Sequence, residues 1–528
     1  MKLKKRLLCF GIVAVMMAGF LVGVFAGSNI STITAKINSE INYILNGEEF
    51  IPRDMDGSEM DTIIYSGRSY VPLRAISEAL DMPVDWNDDT KTIILGEYED
   101  RKDVVDEEKN VDRDVGSELT GEITIAHFNI HEANELVEAY MEKNPSVKVN
   151  IKHLTDHQGE YQNYIETQFK SNSAESDIIA LECAFVREFV NMDDAFENLS
   201  EAPYNAEDFY DKLVPYTIDV GKSNDGKIRA LSHQATPMGI GYKREIAREY
   251  LGTDNPEEIS EMFSTSDKIL ETGRKLKAES GGKVKLFPHL EELCRIYMAA
   301  RETGWEKDGK LVIDSKMDEF MELAKDLWEE GLVGRAEPWT MQWSNAIEDD
   351  EHFAWTMPNW GLRWIIISGM DGALDNPMAT AGEWAVAKPE VTGFWGGTWL
   401  GINSNSENKD IAWDFIKFIT LDEEHVESHA KKTGDFISNT EVISKLAEDD
   451  GYINPLTNQN LYEFYEPFLD EINGNLYTMY DDNLVYSYNI IESYMIAVKS
   501  YIKGEATKED AIKKFKKTVY LQHGLEID

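Results

Sequence analysis

The larger part of this 528-residue chain is predicted to be an α/β fold built on a parallel sheet. Three short apolar segments, "EITIAHF", "VKVNI" and "SDIIALE", are typical of buried strands. Segments with apolar residues at helical spacing separate them. Strand–helix–strand units of this kind join parallel strands through right-handed crossovers. The chain is also longer than one ordinary hydrophobic core requires, so we expect at least two domains.

The composition excludes several classes of protein. Hydrophobic residues make up 42% of the chain and aromatic residues 11%, which argues against a disordered protein. The formal net charge is −45, whereas phosphate recognition requires a basic surface, so nucleic-acid binding is excluded. Self-repulsion on such an acidic surface suits a secreted protein that meets cations or neutral ligands.

Residues 1–26 have the features of an export segment. Four basic residues precede an apolar run over residues 7–26, and small residues stand before Gly27. The run is long enough to cross a bilayer, so a cleaved signal peptide and a retained membrane anchor both fit. Either way we expect the extracellular face of the cell envelope, with the protein secreted or membrane-anchored. Cys9 stands at the start of the run instead of after it, which excludes a lipid anchor.

Residues 37–96 are predicted to form a separate, small α+β module. "INYILNGEEFI" alternates as a strand, a helix carries Leu73, Ile76 and Leu80, and "WNDDTK" is a turn before a closing strand. "LNG", "GRSYVPLRAISEAL" and "VDWNDDTKTIIL" resemble the copper amine oxidase N-terminal-like (stalk) domain. The resemblance implies a spacer or wall-associated module. The module contains no His, so we expect no copper in it.

Residues 97–119 are predicted to be an acidic linker. Ten acids stand against four bases between Glu97 and Glu118, with almost no large apolar residue. Such a segment cannot bury enough apolar surface to fold, and its like charges extend it.

The ends of the predicted strands in residues 120–528 indicate candidate ligand contacts. His127, Phe128 and Asn129 follow the first strand, and Glu182 ends the third. Ligands of open α/β sheets bind beyond the carboxyl ends of the strands. His127, Asn129 and Glu182 are therefore candidate binding residues.

Residues 120–528 resemble the family 1 extracellular solute-binding proteins of ABC importers. The resemblance rests on "EITIAHF", "MEKNPSVKVNI", "SDIIAL", "DGKIRALSHQATPMGIGYKREIAREYLGTDNPE", "FAWTMPNWGL" and "GGTWLGINSNSENKDIAWDFIKFIT". It differs at "KKTGDFISN", which lacks the proline of the family's usual Gly-x-x-Pro. The resemblance implies a two-lobed, periplasmic-binding-protein-like fold of type II, which holds its ligand between the lobes.

Five tryptophans are candidates for that inter-lobe site. Trp395 and Trp399 flank two glycines, which let backbone approach a ligand closely, and their flat rings suit a pyranose. Trp360 stands in "PNWG", at a break before a helix, and Trp339 and Trp343 are spaced as on one helix face. Trp399 also fits a core position in a strand, and the spacing of Trp339 and Trp343 also fits a core.

The expected function is that of a non-enzymatic substrate-binding component of an ABC importer. It would capture a carbohydrate or oligosaccharide, deliver it to permease subunits, and act as a monomer without cofactor. Two alternatives stay open: a binder of a cationic solute such as a polyamine, caged by aromatic rings and carboxylates, and a wall-associated adhesion or sensor protein. The sequence has no Walker loop and no G-x-S-x-G elbow, which argues against the corresponding enzymes.

Metal and disulfide sites are not expected. The histidine pairs spaced four residues apart lie outside any His-Glu-x-x-His motif, so we predict no metal site. Cys183 and Cys294 are too few and too distant for a disulfide framework. They are either buried free thiols or one long-range bridge.

Overall fold

The computed structural model describes residues 119–155, 159–367, 381–478 and 489–527, with the backbone of seven short strands between residues 36 and 95. The chain divides into two compact units, Met1–Asp114 and Val115–Asp528. The expected export segment 1–26, the linker up to residue 118 and the helix carrying Leu73, Ile76 and Leu80 lie outside the described residues.

The strands of the N-terminal unit pair in an antiparallel manner. They are β1 (Lys36–Asn38), β2 (Tyr43–Leu45), β3 (Glu48–Phe50), β4 (Thr62–Tyr65), β5 (Arg68–Tyr70), β6 (Val84–Asn87) and β7 (Thr92–Leu95). β1, β4 and β5 form one sheet in that order, while β2–β3 and β6–β7 are two hairpins.

The first lobe of the second unit is built on a five-stranded sheet. Its strands are β8 (Gly121–His127), β9 (Val147–His153), β10 (Ile178–Glu182), β11 (Ala230–Ser232) and β18 (Thr398–Ile402), in the order β11-β18-β10-β8-β9. β8 is parallel to both β9 and β10, which confirms the predicted parallel sheet. β18 is antiparallel to its two neighbours, β10 and β11.

The first helix of this lobe, α1 (Ile130–Lys143), begins and ends where the sequence indicates. The side chain of Asn129 accepts hydrogen bonds from the first backbone N–H groups, and the helix ends at Asn144, before Pro145. Its buried face carries Ala133, Leu136, Val137 and Tyr140. The other α-helices between β8 and β11 are α2 (Glu160–Lys170), α3 (Cys183–Phe189) and α4 (Pro215–Val220).

The second lobe has an antiparallel sheet of its own. β12 (Pro237–Lys243) lies between β15 (Ala354–Pro358) and β16 (Trp384–Ala387), and it also pairs with the short β17 (Gly393–Phe394). The small hairpin β13 (Glu306–Lys307) and β14 (Lys310–Leu311) stands apart. The helices and helical turns of the lobe are α5 (Arg244–Ile246), the π-helical turn Ala247–Leu251, α6 (Pro256–Met262), α7 (Ser266–Glu279), α8 (Glu291–Ala299), α9 (Ser315–Glu329), α10 (Met341–Asn345) and the π-helical turn Leu362–Ile367.

The chain crosses between the two sheets more than once before it ends on the second lobe. One crossing joins β11 to β12, and another joins β17 to β18. After β18 come α11 (Lys409–Leu421), α12 (Glu423–Thr433), α13 (Thr440–Ala447), α14 (Leu461–Tyr465), α15 (Ile490–Ile502) and α16 (Lys508–His523). α15 and α16 share the apolar core of the second lobe with α8 and α9. No helix among the described residues is sufficiently long and apolar to cross a bilayer.

Buried apolar side chains connect the lobes along the crossings. One continuous cluster contains Trp399 of the first sheet together with Trp355 and Trp384 of the second. Cys183 and Cys294 are both buried and are not joined by a disulfide, so the long-range bridge is wrong.

Candidate functional site

A cavity of about 220 Å³ lies between the lobes, at the carboxyl ends of β8 and β10. The first lobe contributes Phe128, Asn129, Glu132, Glu135, Glu182, Gln234, Thr398 and Asp435, and the second contributes Trp360, Arg363 and Trp364. Three of the predicted site residues, Asn129, Glu182 and Trp360, therefore line one cavity. The strand-end rule locates this edge of the sheet because each strand there runs directly into a helix.

Asn129 and Glu182 also begin the helices that follow their strands. The Asn129 side chain accepts hydrogen bonds from the N–H groups of His131 and Glu132, and Glu182 accepts one from Ala184 at 2.6 Å. Such bonds satisfy N–H groups that a helix start leaves without a partner. Both side chains are therefore fixed in place at the wall of the cavity.

The two glycines of "FWGGTW" form the turn that borders the cavity. Gly396 and Gly397 have φ angles of 81° and 108°, in the region that favours glycine. A Cβ atom on Gly396 would lie 2.6 Å from Nε1 of Trp360. That indole N–H donates a hydrogen bond to the carbonyl oxygen of Trp395 at 2.7 Å. The glycine is therefore required because the Trp360 ring lies directly against the turn.

Four predicted tryptophans form one group of rings next to the cavity. We call Trp339, Trp343, Trp360 and Trp395 the tryptophan group. The ring centroid of Trp339 lies 5.4 Å from that of Trp343, 5.9 Å from that of Trp395 and 6.5 Å from that of Trp360. The centroids of Trp360 and Trp395 are 5.4 Å apart. Residues separated by up to 56 positions in the chain thus meet at one place.

Trp339 is the most accessible member of the tryptophan group. Its side chain is 62% exposed, and its φ angle of 62° is unusual for a bulky residue. Such backbone strain is concentrated at functional sites, where the surrounding structure holds it in place. The guanidinium of Arg295 lies 4.0 Å from the ring centroid of Trp395 and covers one face of that ring.

Trp343 is the buried member of the tryptophan group. Its indole N–H donates a hydrogen bond to Oε1 of Glu292 at 2.7 Å. The other carboxylate oxygen of Glu292 accepts from the N–H of Thr356 at 3.0 Å. Burial raises the pKa of Glu292 to about 7, although these two donors act in the opposite direction. Trp343 thus positions Trp339 and offers no free ring face itself.

Trp399 and His127 are buried in the protein interior, so neither ring is exposed to the cavity. Trp399 is a core side chain whose indole N–H donates to the carbonyl oxygen of Thr217 at 2.6 Å. His127 is fully buried, and its Nδ1 accepts from the N–H of Asn129 at 3.0 Å. Burial lowers the pKa of His127 to about 4, so its ring is neutral at pH 7.

Replacing Trp399 with phenylalanine should separate a core role from a ligand role. Trp399→Phe leaves the carbonyl of Thr217 without its buried donor, and we expect the free energy of unfolding to fall by about 2 kcal/mol. Ligand affinity should stay within about twofold of the wild-type value, because the ring does not face the cavity. Urea denaturation and calorimetric titration measure the two quantities. A large loss of affinity in a stably folded variant would show that Trp399 contacts the ligand.

A second cavity, of about 440 Å³, adjoins the first. The two share Trp360, Arg363 and Asp435 in their walls. In the second cavity the segment "KKTGD" faces the second lobe, where the Asn359 side chain donates to the carbonyl of Gly434 at 2.9 Å. The missing proline in this segment therefore does not prevent contact between the lobes. The cleft has two adjoining chambers, separated by the Trp360 ring and the Arg363 side chain.

Three side chains of the cavity wall were not predicted from the sequence, namely Glu132, Arg363 and Asp435. Glu132 is in the first turn of α1, and Nε2 of His233 lies 3.3 Å from its Oε1. Burial raises the pKa of Glu132, but contacts with His233 and His127 outweigh this effect and lower it to about 2. In the sequence, Glu132 could have been found from its position three residues after Asn129, which caps the helix. Nothing local marked Arg363 or Asp435, because the pairing of lobes brings them together.

One group among the described residues has donor atoms close enough together to hold a metal ion. His289, Glu291 and Glu337 each offer an atom within 4.8 Å of the others. Glu337 already pairs with Lys499 at 2.8 Å, so the carboxylate has a cation beside it. The absence of a metal therefore stays a prediction.

Known proteins resemble this chain in both of its units. A sequence model of the copper amine oxidase N-terminal domain matches residues 24–106. The fold is similar to a crystal structure of an extracellular solute-binding protein of family 1, with a TM-score of 0.60, 20% identity, and coverage of 75% of this chain and 98% of that one. For the GacH receptor of Streptomyces glaucescens the corresponding values are 0.57, 16%, 76% and 98%. For an ABC transporter associated binding protein from B. animalis subsp. lactis, in complex with β-1,6-galactobiose, they are 0.55, 18%, 78% and 100%.

These comparisons confirm both resemblances inferred from the sequence and the two-lobed α/β fold. A sequence model described as bacterial extracellular solute-binding protein matches residues 135–454. That match covers more than half of the chain, and the structure has two lobes with a cleft between them. The protein therefore belongs to the bacterial extracellular solute-binding proteins.

Proposed function

We propose that the protein captures a carbohydrate in its inter-lobe cleft and delivers it to permease subunits of an ABC importer. Its family and fold are those of non-enzymatic solute-binding proteins, and we propose that this chain likewise performs no reaction on its ligand. The observation that carries the proposal is the tryptophan group, whose Trp360 ring faces a cavity lined by polar side chains.

The physical chemistry of sugars fits this arrangement. A pyranose has apolar C–H faces that stack on indole rings, and hydroxyls that pair with carboxylate and amide groups. Both kinds of partner border the same cavity, with Trp360 and Trp364 from one lobe and Asn129 and Glu135 from the other. A ligand held from both lobes favours the closed form over the open one, because only the closed form makes all the contacts. Solved structures of similar fold contain β-1,6-galactobiose and maltose, which supports a saccharide here.

We propose the following organisation for the whole chain. Residues 1–26 export the protein as a signal peptide or retain it as an anchor, residues 37–96 are a stalk, and residues 97–119 are an acidic linker. Residues 120–528 form the solute-binding domain, which acts as a monomer. The resulting location is the extracellular face of the cell envelope.

A thermal-shift titration of the full chain tests the proposal. Mono- and oligosaccharides are added over a range of concentrations, with polyamines included in the panel. A ligand that binds only the folded state raises the melting temperature as its concentration increases. We expect such a rise for at least one saccharide. A panel in which no saccharide raises the melting temperature would contradict the carbohydrate assignment.

A cationic solute is the second candidate, and a specific feature of the cavity favours it. Four carboxylate side chains, those of Glu132, Glu135, Glu182 and Asp435, line the cavity beside one guanidinium, that of Arg363. An excess of carboxylates next to aromatic rings suits an ammonium group. Salt distinguishes the two candidates, because binding of a polyamine should weaken strongly as ionic strength rises, whereas binding of a neutral sugar should not.

A further inference from the structure

Exposed large apolar side chains are concentrated in two regions of the described residues. Eight such side chains are exposed in those residues: Trp339, Met341, Trp364, Ile453, Ile496, Tyr520, Leu521 and Ile527. The first four lie on segments that form the two cavities or carry the tryptophan group. The last four lie on α15, on α16 or just after α16, at the other end of the sequence. Contiguous exposed apolar surface is typical of contact sites, and the ligand cleft does not account for the second region.

The outer face of α16 combines apolar and basic side chains. Its inner face, with Ala511, Phe515 and Val519, is buried in the core of the second lobe. The outer face carries Lys513, Lys514, Lys517, Tyr520 and Leu521, all of them exposed. Tyr520 is 52% exposed and Leu521 69% exposed. We call these five residues the α16 face.

The lysines of the α16 face differ from most others in this acidic chain. From residue 511 to residue 524 there are four lysines and no acid, although the whole chain has a net charge of −45. Lys508, at the start of α16, forms ion pairs with Asp318 at 2.7 Å and Glu322 at 2.6 Å.

 Among the described residues, by contrast, Lys513, Lys514 and Lys517 have no acidic side chain within ion-pair distance. Their charges are therefore available to a partner outside the chain.

We propose that the α16 face docks on the surface of an anionic phospholipid bilayer. Lysines attract the lipid phosphates, while Tyr520, Leu521 and the neighbouring Ile496 offer apolar surface to the boundary of the acyl chains. The three side chains that are apolar would gain nothing from a purely ionic polymer, which favours a lipid surface over an anionic polymer.

The acidity of the rest of the chain does not prevent this contact. Charges are screened over about 8 Å at physiological ionic strength, so acids on other surfaces of the molecule act weakly at the α16 face. Each lysine that reaches an anionic surface strengthens binding roughly fivefold. Three lysines together are therefore expected to contribute roughly 100-fold, provided that all three reach the lipid.

A fluorophore placed on α16 tests the proposal in the full chain. Leu521→Cys is labelled with an environment-sensitive dye in a Cys9→Ser background, where Cys183 and Cys294 are buried. Vesicles of phosphatidylglycerol should shift the dye emission to the blue, and vesicles of phosphatidylcholine should not. The dye reports on α16 alone, so lipid contacts of residues 1–26 do not imitate the signal.

Charge variants provide the control. Replacing Lys513, Lys514 and Lys517 together with glutamine should raise the lipid concentration needed for half of the shift at least tenfold, and added salt should have less effect than in the wild type. A matched triple variant changes three exposed lysines elsewhere, Lys152, Lys212 and Lys307. It should bind as the wild type does. No shift with anionic vesicles, an equal shift with both lipids, or an equal loss in both triple variants would overturn the proposal.

Discussion

Trp360→Ala is expected to weaken ligand binding by about 100-fold, the largest effect on affinity that we anticipate at the cleft. The Trp360 ring borders both chambers of the cleft, and its N–H holds the carbonyl of Trp395 at 2.7 Å. Alanine removes the stacking surface and also frees the Gly396 turn that packs against it. Isothermal titration calorimetry, with the saccharide that gives the largest thermal shift, measures the change.

A matched variant shows whether the loss belongs to the cleft. Trp328 is also partly buried, on α9, where its ring packs beneath the guanidinium of Arg335 at 4.6 Å. Trp328→Ala removes a ring of the same size that lines neither chamber, and it should leave affinity within about twofold of wild type. Equal losses in the two variants, or an unchanged affinity in Trp360→Ala, would show that Trp360 does not contact the ligand.

Glu292→Gln is expected to change how the stability of the protein depends on pH. The pKa of Glu292 is raised from 4.5 to about 7, because burial disfavours its charged form. A carboxyl group whose pKa is raised on folding stabilises the folded state fully below its unfolded pKa. That contribution disappears as the pH rises through the folded pKa. From pH 4.5 to pH 7 it should fall by about 3 kcal/mol.

Urea denaturation of both proteins between pH 4.5 and pH 8 measures this effect. Glutamine cannot ionise, so the wild type should lose about 3 kcal/mol of unfolding free energy relative to the variant as the pH rises to 7. His127, His289 and His425 act in the opposite direction, since burial lowers the pKa of each to about 4. They are present in both proteins, so their contribution cancels in the difference. A difference that does not vary with pH would mean that folding leaves the pKa of Glu292 unshifted.

The strands and helices of the first lobe could be predicted from local patterns. β8, α1, β9, α2 and β10 lie where apolar periodicity and the Asn144-Pro145 stop indicate, because each buries one face against its immediate neighbours in sequence. The position of β18 could not be predicted in this way. Its apolar residues fit a buried strand, but only the assembled sheet specifies that it enters between β10 and β11.

The candidate site was partly predictable for the same reason. Asn129 and Glu182 follow strands, so the sheet itself directs them to the cavity. Trp395 and Trp399 illustrate the limit, because they are four residues apart with two glycines between them. Alternation along the strand turns Trp399 into the core, whereas Trp395 precedes the turn and joins the tryptophan group. Asp435 and Arg363 come together only when the lobes pair, and no local sequence pattern indicates that pairing.

The place of β18 in the first sheet has a consequence for biosynthesis. This interior strand is made of residues 398–402, whereas its neighbours β10 and β11 are complete by residue 232. As the chain emerges from the ribosome, the sheet of the first lobe therefore lacks an interior strand until every strand of the second sheet has been synthesised. Domains that are continuous in sequence fold one after another, from the N-terminus onwards. Neither lobe is continuous in sequence, so we expect the two lobes to fold together, and a gene fragment that ends before residue 398 encodes neither of them in full.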